Sequence, residues 1–366
     1  MSIRSLPATY MRGGTSRALI FQESDLPSQR KEWDEIFLLA LGSPDPYGRQ
    51  LNGMGGGVSS LSKVAVLRPS QRDDADVDYT FAQVSVHQAT VDYKGNCGNI
   101  SSAVGPYAVM KGWVKTSGHE AHVRIFNTNT QKIIHAYFPV KNGEPVFDGE
   151  LSIPGVAGAA APIRLEFQEP GGATTGKLLP TGSVHDLLKV AGHGEIPVSM
   201  IDAANACVFV HAKEVGLQGD EQPEELDADK SAMGLLDLIR RQASVTMGIA
   251  KDLEDAKNFM AIPYIGIVSS ALNEDMDFSL RVIASGQPHK ALPLTVSLCA
   301  AVASKLSGSV ISDVLKDKNL HQVRIGMPSG VLTLDAKVEK AGEHWHVLSG
   351  SFYRTARPLF EGRVFA

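Results

Sequence analysis

Tyr93-Lys94-Gly95-Asn96-Cys97-Gly98-Asn99-Ile100-Ser101-Ser102-Ala103-Val104 reads as the end of a strand, a tight polar turn and the start of a helix. Gly95 and Gly98 tolerate positive φ or close backbone approach, and Asn96 and Asn99 suit turns and N-caps, so backbone N–H groups should crowd around Cys97. Such a nest attracts an anion and makes a cysteine held in it reactive. A plainer reading, a small core residue beside a loop, stands next to it. Over residues 100–111 the pattern is helical and rich in small side chains, which predicts a buried helix.

Outward from this turn the chain is mostly short strands. Upstream, residues 7–11 and 17–21 read as strands about the turn 12–16, and 31–41 as a helix stopped by Gly42-Ser43-Pro44-Asp45-Pro46. A glycine and serine loop over 51–63, too flexible in composition for a core, runs into a strand at 64–67. It has neither the GxxxxGK[ST] spacing of a phosphate loop nor the GxGxxG of a dinucleotide site, so no nucleotide is implied. Residues 76–86 alternate as a strand, and 122–126, 133–140 and 151–154 are expected to be further strands. Short strands around one buried helix is the resulting pattern.

That pattern occurs twice. Val123-Arg124-Ile125 returns as Val323-Arg324-Ile325, each followed by a polar turn and another strand, at an offset of 200. At an offset of 190, the stretch from Gly13-Gly14-Thr15-Ser16 overlies that from Ala203-Ala204-Asn205-Ala206; at 198, Ala103-Val104 overlies Ala301-Val302. Three matches in one order predict duplicated halves, which we place at 1–185, with 354–366 returning to them, and 186–353. The glycine, threonine and proline cluster at 170–183 reads as a linker or a lid. A charged, periodic insertion at 222–243 reads as a solvated helix. The offset of 198 sets Thr295 opposite Cys97, with Ser297 nearby, so a second thiol is missing from the second half. Lys63, at the end of the glycine loop, is then a candidate base once desolvated, or simply a solvated lysine at a strand start.

Composition narrows the function. The chain has 366 residues, 20% of them charged, and a formal net charge of −5 without any basic run, so nucleic acid is not an expected partner. Cys97, Cys207 and Cys299 lack CxxC or Cys/His spacing, which argues against a disulfide framework and against a metal site. No apolar run reaches ~18 residues and no signal-like segment follows Met1, so we expect a cytoplasmic protein without membrane contact.

The strings MRGGTS, GSPDPYGRQLNGMGGGVSSLSKVAV, DVDYTFAQVSV, GNCGNISSAVGPYAV, GKLLPTG and VRIGMPSGV strongly resemble the PrpF family across nearly the whole chain. That family includes 2-methylaconitate cis-trans isomerase, methylitaconate Δ-isomerase and 4-oxalomesaconate tautomerase, and FNTNTQK with 201–215 looks closest to the methylitaconate Δ-isomerase branch. The resemblance implies an α+β, diaminopimelate-epimerase-like fold of two similar β-rich domains, each wrapped around a central helix. It also implies a cofactor-free 1,3-allylic proton shift on an unsaturated di- or tricarboxylate, with Lys63 and Cys97 as the catalytic pair and Lys63 the principal base. Asn96, Gly98 and Asn99 are implied to hold a substrate carboxylate, and Thr15, Ser16, Ser59 and Ser60 to line the substrate. Thr295 and Ser297 complete the expected binding set from the second half. Arg17, Met327 and Leu292-Pro293-Leu294-Thr295 depart from the common pattern, the last two on the second-half side, where the substrate's distal group would be read. Two other classes stay in view: a carboxylate-binding protein without catalysis, and a thiol-nucleophile transferase or hydrolase using Cys97, for which His87, His185 and His289 have no informative spacing. Which acid is the substrate, and whether the chain forms a homo-oligomer, is left open by the sequence.

Overall fold

The computed structural model describes residues 4–257, 262–284, 286–342 and 344–366, and the chain divides into two compact units, Met1–Glu166 with Tyr353–Ala366, and Phe167–Phe352. The sequence places the division further on, at 185/186. Residues 167–185 go instead with the second unit, and the cluster at 170–183 is fastened to it: the buried Asp202 carboxylate accepts the backbone N–H of Thr174 (2.8 Å) and Thr175 (2.6 Å), and Gly172 N–H donates to the Asp202 carbonyl. This cluster is therefore not a free linker.

In the first unit the strands Ser5–Gly13 and Ser16–Gln22 form a hairpin, and the chain crosses over through the helix Trp33–Leu41 to Lys63–Pro69, which runs parallel to Ser16–Gln22. Val77–Val84 pairs antiparallel with Lys63–Pro69; after the central helix Gly98–Met110, Glu120–Asn127 pairs parallel with Val77–Val84, and Lys132–Lys141 closes antiparallel on it. The sheet has two faces. Val64, Val66, Ala82 and Val84 alternate onto the helix Trp33–Leu41, while the intervening residues face the side where the central helix packs. Ile100, Val104 and Val109 of that helix are buried, each contributing on the order of 1.5–3 kcal/mol. Gly105 permits the close approach, because a Cβ there would lie 2.9 Å from the Phe138 ring.

The second unit repeats this order strand for strand. Gly194–Ala203 and Asn205–His211 form the hairpin, Tyr264–Ser270 runs parallel to its second strand, and Phe278–Ala284 pairs antiparallel with Tyr264–Ser270. The helix Leu294–Lys305 follows, then Gln322–Met327 parallel to Phe278–Ala284, then Gly330–Ala341. The VRI repeat has a shared cause. Arg124 clamps Asp76 with its backbone N–H (2.8 Å) and guanidinium (2.7 Å), and Arg324 clamps Asp277 in the same way (2.7 and 2.7 Å).

Two expectations are corrected. Residues 222–243 are not a solvated insertion: Pro223–Ala228 and Lys230–Thr246 are the crossover helices of the second unit, and Leu226, Ala232, Leu236, Ile239 and Ala243 are buried in its core. Charges on the outward face hid that inward stripe. Residues 151–154 form no strand, only an isolated bridge between Leu151 and Ala160. One segment crosses the sequence order: Ala356–Phe365 pairs with Ser5–Gly13, so the chain's last strand belongs to the first unit. No helix among the described residues is long and apolar enough to cross a membrane.

Candidate active site

The site residues of the first unit gather where the hairpin turn, the strand Val77–Val84 and the start of the central helix meet. Cys97 is the N-cap of that helix (φ −111°, ψ 96°), half-buried, and its thiol caps nothing. Asn99 ties the helix to the hairpin: its Oδ1 accepts from Thr15 N–H (3.3 Å) and its Nδ2 donates to Thr15 Oγ1 (3.1 Å). The turn can lie this close only because Gly14 holds φ +51° and a side chain there would collide with the Asn99 amide. Ser16 is buried at the start of the second hairpin strand.

Lys63 opens the strand Lys63–Pro69 opposite Gln83 and is only 9% exposed. Its Nζ donates to Gln83 Oε1 (2.5 Å) and lies 5.0 Å from the centre of the Phe81 ring. Tyr79, Phe81 and Gln83 alternate along one strand, so they share a face. Tyr79 is fully buried; burial first, and the electrostatic interaction with Cys97 second, raise its phenol well above its ordinary value, so it stays neutral. The same strand face thus runs from Cys97, past Phe81, to Lys63.

An asparagine ladder fixes this arrangement. Asn129 pairs with both backbone groups of Phe81 (2.7 and 2.8 Å) and donates to the Tyr93 carbonyl (2.7 Å). Asn127 Nδ2 donates to Asn96 Oδ1 (3.3 Å). Neither was identified as a site residue from the sequence, although both stand in FNTNTQK; the signal was their spacing of two, which puts them on one side of the turn after Glu120–Asn127.

Two further features were missed. The glycine loop is not slack: it closes around the buried Gln50, whose Nε2 donates to Ser43 and Ser62 hydroxyls (2.7 Å each) while its Oε1 accepts from Gly57 N–H (3.0 Å). Ser59, exposed, and Ser60, half-buried, sit on the single turn Ser59–Leu61 that leads into Lys63. The other missed residue is Arg354, whose guanidinium is pushed down to about 9 by burial and donates to Asn99 Oδ1 (3.3 Å) and the Tyr353 carbonyl (2.9 Å). It comes from the segment Tyr353–Ala366, which groups with the first unit.

In the second unit, hydrogen bonds set a different register from the one read in sequence. Ser101 donates its N–H and hydroxyl to the Cys97 carbonyl (2.9 and 3.1 Å), and Ser297 does the same to Pro293 (3.0 and 3.2 Å). Pro293, not Thr295, therefore stands at the Cys97 position. Thr295 matches Asn99, and it too is tied to its hairpin turn, by Asn205 Nδ2 donating to Thr295 Oγ1 (2.7 Å). Both Thr295 and Ser297 are buried. Small residues around a helix start leave its first residue undetermined in sequence, hence the slip of two. Met327 is half of a backbone contact, its sulfur 3.3 Å from Leu292 N.

Cys207 and Cys299 are fully buried, and desolvation raises Cys207 well above the ordinary thiol range. Among the described residues no imidazole is bonded to Cys97; the recorded ring contact of His87 is the Asp45 carbonyl at 3.3 Å. Nor does any group of three His, Cys, Asp or Glu among them converge as metal ligands.

Paired β-rich units, each built around one buried helix, make this a diaminopimelate-epimerase-like fold; a hydroxyproline epimerase from Agrobacterium vitis shares it with a TM-score of 0.58 at 11% identity, covering 99% of this chain and 93% of that one. The chain belongs to the PrpF family, matching the PrpF protein over residues 3–366. It is 38% identical to a 3-methylitaconate isomerase of Eubacterium barkeri, over 98% of this chain and 97% of that protein. It is 35% identical to a 2-methyl-aconitate isomerase of Cupriavidus necator, over 98% and 96%. The crystal structure of a methylitaconate-delta-isomerase superposes with a TM-score of 0.84 at 36% identity, over 100% of this chain and 96% of that one.

Proposed function

We propose that this isomerase moves a proton between the ends of an allyl system in an unsaturated di- or tricarboxylate of the methylitaconate or 2-methylaconitate type, with Lys63 as the base and no cofactor. Full-length relatives at this identity are isomerases, and the observation that carries the residue assignment is the placement of Lys63. The residue is nearly buried, its amine is bonded to a neutral acceptor, and it stands on the strand face that leads to the Cys97 turn. Neutral Lys63 takes the allylic proton, leaving a dienolate; its ammonium then returns a proton to the far carbon of the same allyl unit. Atoms and electrons balance without an oxidant or a metal. The charge that develops on the substrate carboxylate is stabilised by backbone N–H groups at the start of the central helix, with Asn96, Gly98, Asn99 and Thr15 around it. Ser59 and Ser60 bring hydroxyls from the loop that ends at Lys63.

Proton NMR in deuterium oxide with methylitaconate, 2-methylaconitate, aconitate and 4-oxalomesaconate tests this. Deuterium entering an allylic carbon of one acid, with its isomer accumulating, is the expected result. Catalysis without any exchange or isomerisation, such as ester hydrolysis lost on alkylating Cys97, would replace it with the thiol-nucleophile reading.

A further inference from the structure

Gln83 is not itself among the residues assigned to catalysis or substrate, yet its amide is fully committed. Nε2 donates to the carbonyls of Ser59 (3.0 Å) and Ser62 (2.9 Å), and Oε1 accepts from Lys63 Nζ (2.5 Å). Chemistry fixes this orientation: a flipped amide would set an NH2 against the lysine amine and an oxygen against two carbonyl oxygens. Ser62 continues the chain of contacts through its hydroxyl to Gln50, which holds Gly57. The glycine loop, Gln83 and Lys63 are thus one hydrogen-bonded unit, with Phe81 beneath the amine.

We propose that Gln83 is a positioning residue for the proton transfer, holding the Lys63 amine in register with the Ser59–Ser60 loop through both halves of the catalytic cycle. The inference rests on Lys63 being the base and deepens that assignment. A lysine amine has an N–H to donate whether neutral or protonated, so a neutral carbonyl oxygen keeps its bond in both states and leaves the nitrogen lone pair free for the carbon acid. A carboxylate at the same place would form an ion pair that favours the ammonium and resists its loss. It would also break the loop tether, since a carboxylate cannot donate to Ser59 and Ser62.

The test uses Q83E and Q83L in the full chain, with kcat and KM across pH, thermal unfolding, and competitive acetylation of Lys63 across pH read by peptide mass spectrometry. In Q83L, kcat falls about 10- to 100-fold through misplacement of the base. In Q83E the acid limb of the kcat profile and the acetylation midpoint of Lys63 move up by ~1 pH unit, and in Q83L they move down. Opposite movements are the decisive outcome, because lost packing alone would move neither in a charge-dependent direction. Unchanged kcat and unchanged midpoints in both variants, with exchange intact in the wild type, would overturn the role of Gln83 alone. No exchange with any acid in the wild type would overturn the reaction, and this inference with it.

Discussion

At the scale of single residues, Lys63 and Cys97 are held in different ways, and that difference sets their expected importance. Lys63 is buried and bonded at a fixed point of a strand, whereas the Cys97 thiol stands at a helix start with no base bonded to it. Lys63→Ala should lose essentially all turnover, of order 10³-fold or more, while Cys97→Ser keeps a measurable fraction, both read by deuterium exchange in variants whose unfolding matches the wild type. Near-native rates in Lys63→Ala with a dead Cys97→Ser would transfer the role of base to the thiol. Asn99 bridges Thr15 and Arg354 with one amide, so Asn99→Ala should raise KM more than it lowers kcat, through a loosened carboxylate site. Equal falls in kcat and kcat/KM would place its role in the transition state instead. The sequence made Lys63, Cys97 and Asn99 legible because glycine, asparagine and serine crowd beside them. Gln83, Asn127 and Arg354 were not, since each acts through a partner brought near only by strand pairing or by the returning segment.

At the scale of elements, one strand face and one turn give direct tests. His122, His135 and Tyr137 cluster across the strands Glu120–Asn127 and Lys132–Lys141, with the His122 and His135 rings 4.8 Å apart. Desolvation first, and His122 second, lower His135 below its ordinary value, with Glu166 and Asp76 opposing and Arg124 adding to the fall. The folded state therefore binds this proton less readily than the unfolded chain. Its stability is complete above the unfolded value of about 6.5 and is lost as pH falls through the lowered one. His135→Gln should shrink the difference in urea midpoint between neutral and mildly acidic buffer, and an unchanged difference would remove His135 as its source. In the second hairpin Ala204 stands at φ +64°, where its counterpart Gly14 stands at +51°. Ala204→Gly should stabilise the protein by roughly 0.5–1 kcal/mol if relief of the left-handed strain exceeds the entropy gained by the unfolded chain; a lower denaturation midpoint would refute it. Elements with strict alternation were legible from sequence, but the crossover helix Lys230–Thr246 was misread because the charges of Lys230, Asp237 and Arg241 mask its four buried apolar positions, Ala232, Leu236, Ile239 and Ala243.

At the scale of the whole molecule, the duplication was legible because Arg124 and Arg324 each satisfy an aspartate one strand away, a local requirement that keeps VRI in both halves. Asp76→Ala and Asp277→Ala should therefore lower thermal stability to a similar extent, and a loss confined to one would argue against equivalent clamps. The boundary was less legible, since the glycine-rich cluster at 170–183 resembles a linker until Asp202 is seen to hold it. The returning strand has a consequence for the order of synthesis. Ser5–Gly13 has the hairpin partner on one side and Ala356–Phe365 on the other, with Ser5 opposite Phe365. On the ribosome that second side stays open until every residue of Phe167–Phe352 has been made. The unit translated first is thus the one finished last, and its unpaired edge must be kept from other nascent chains meanwhile.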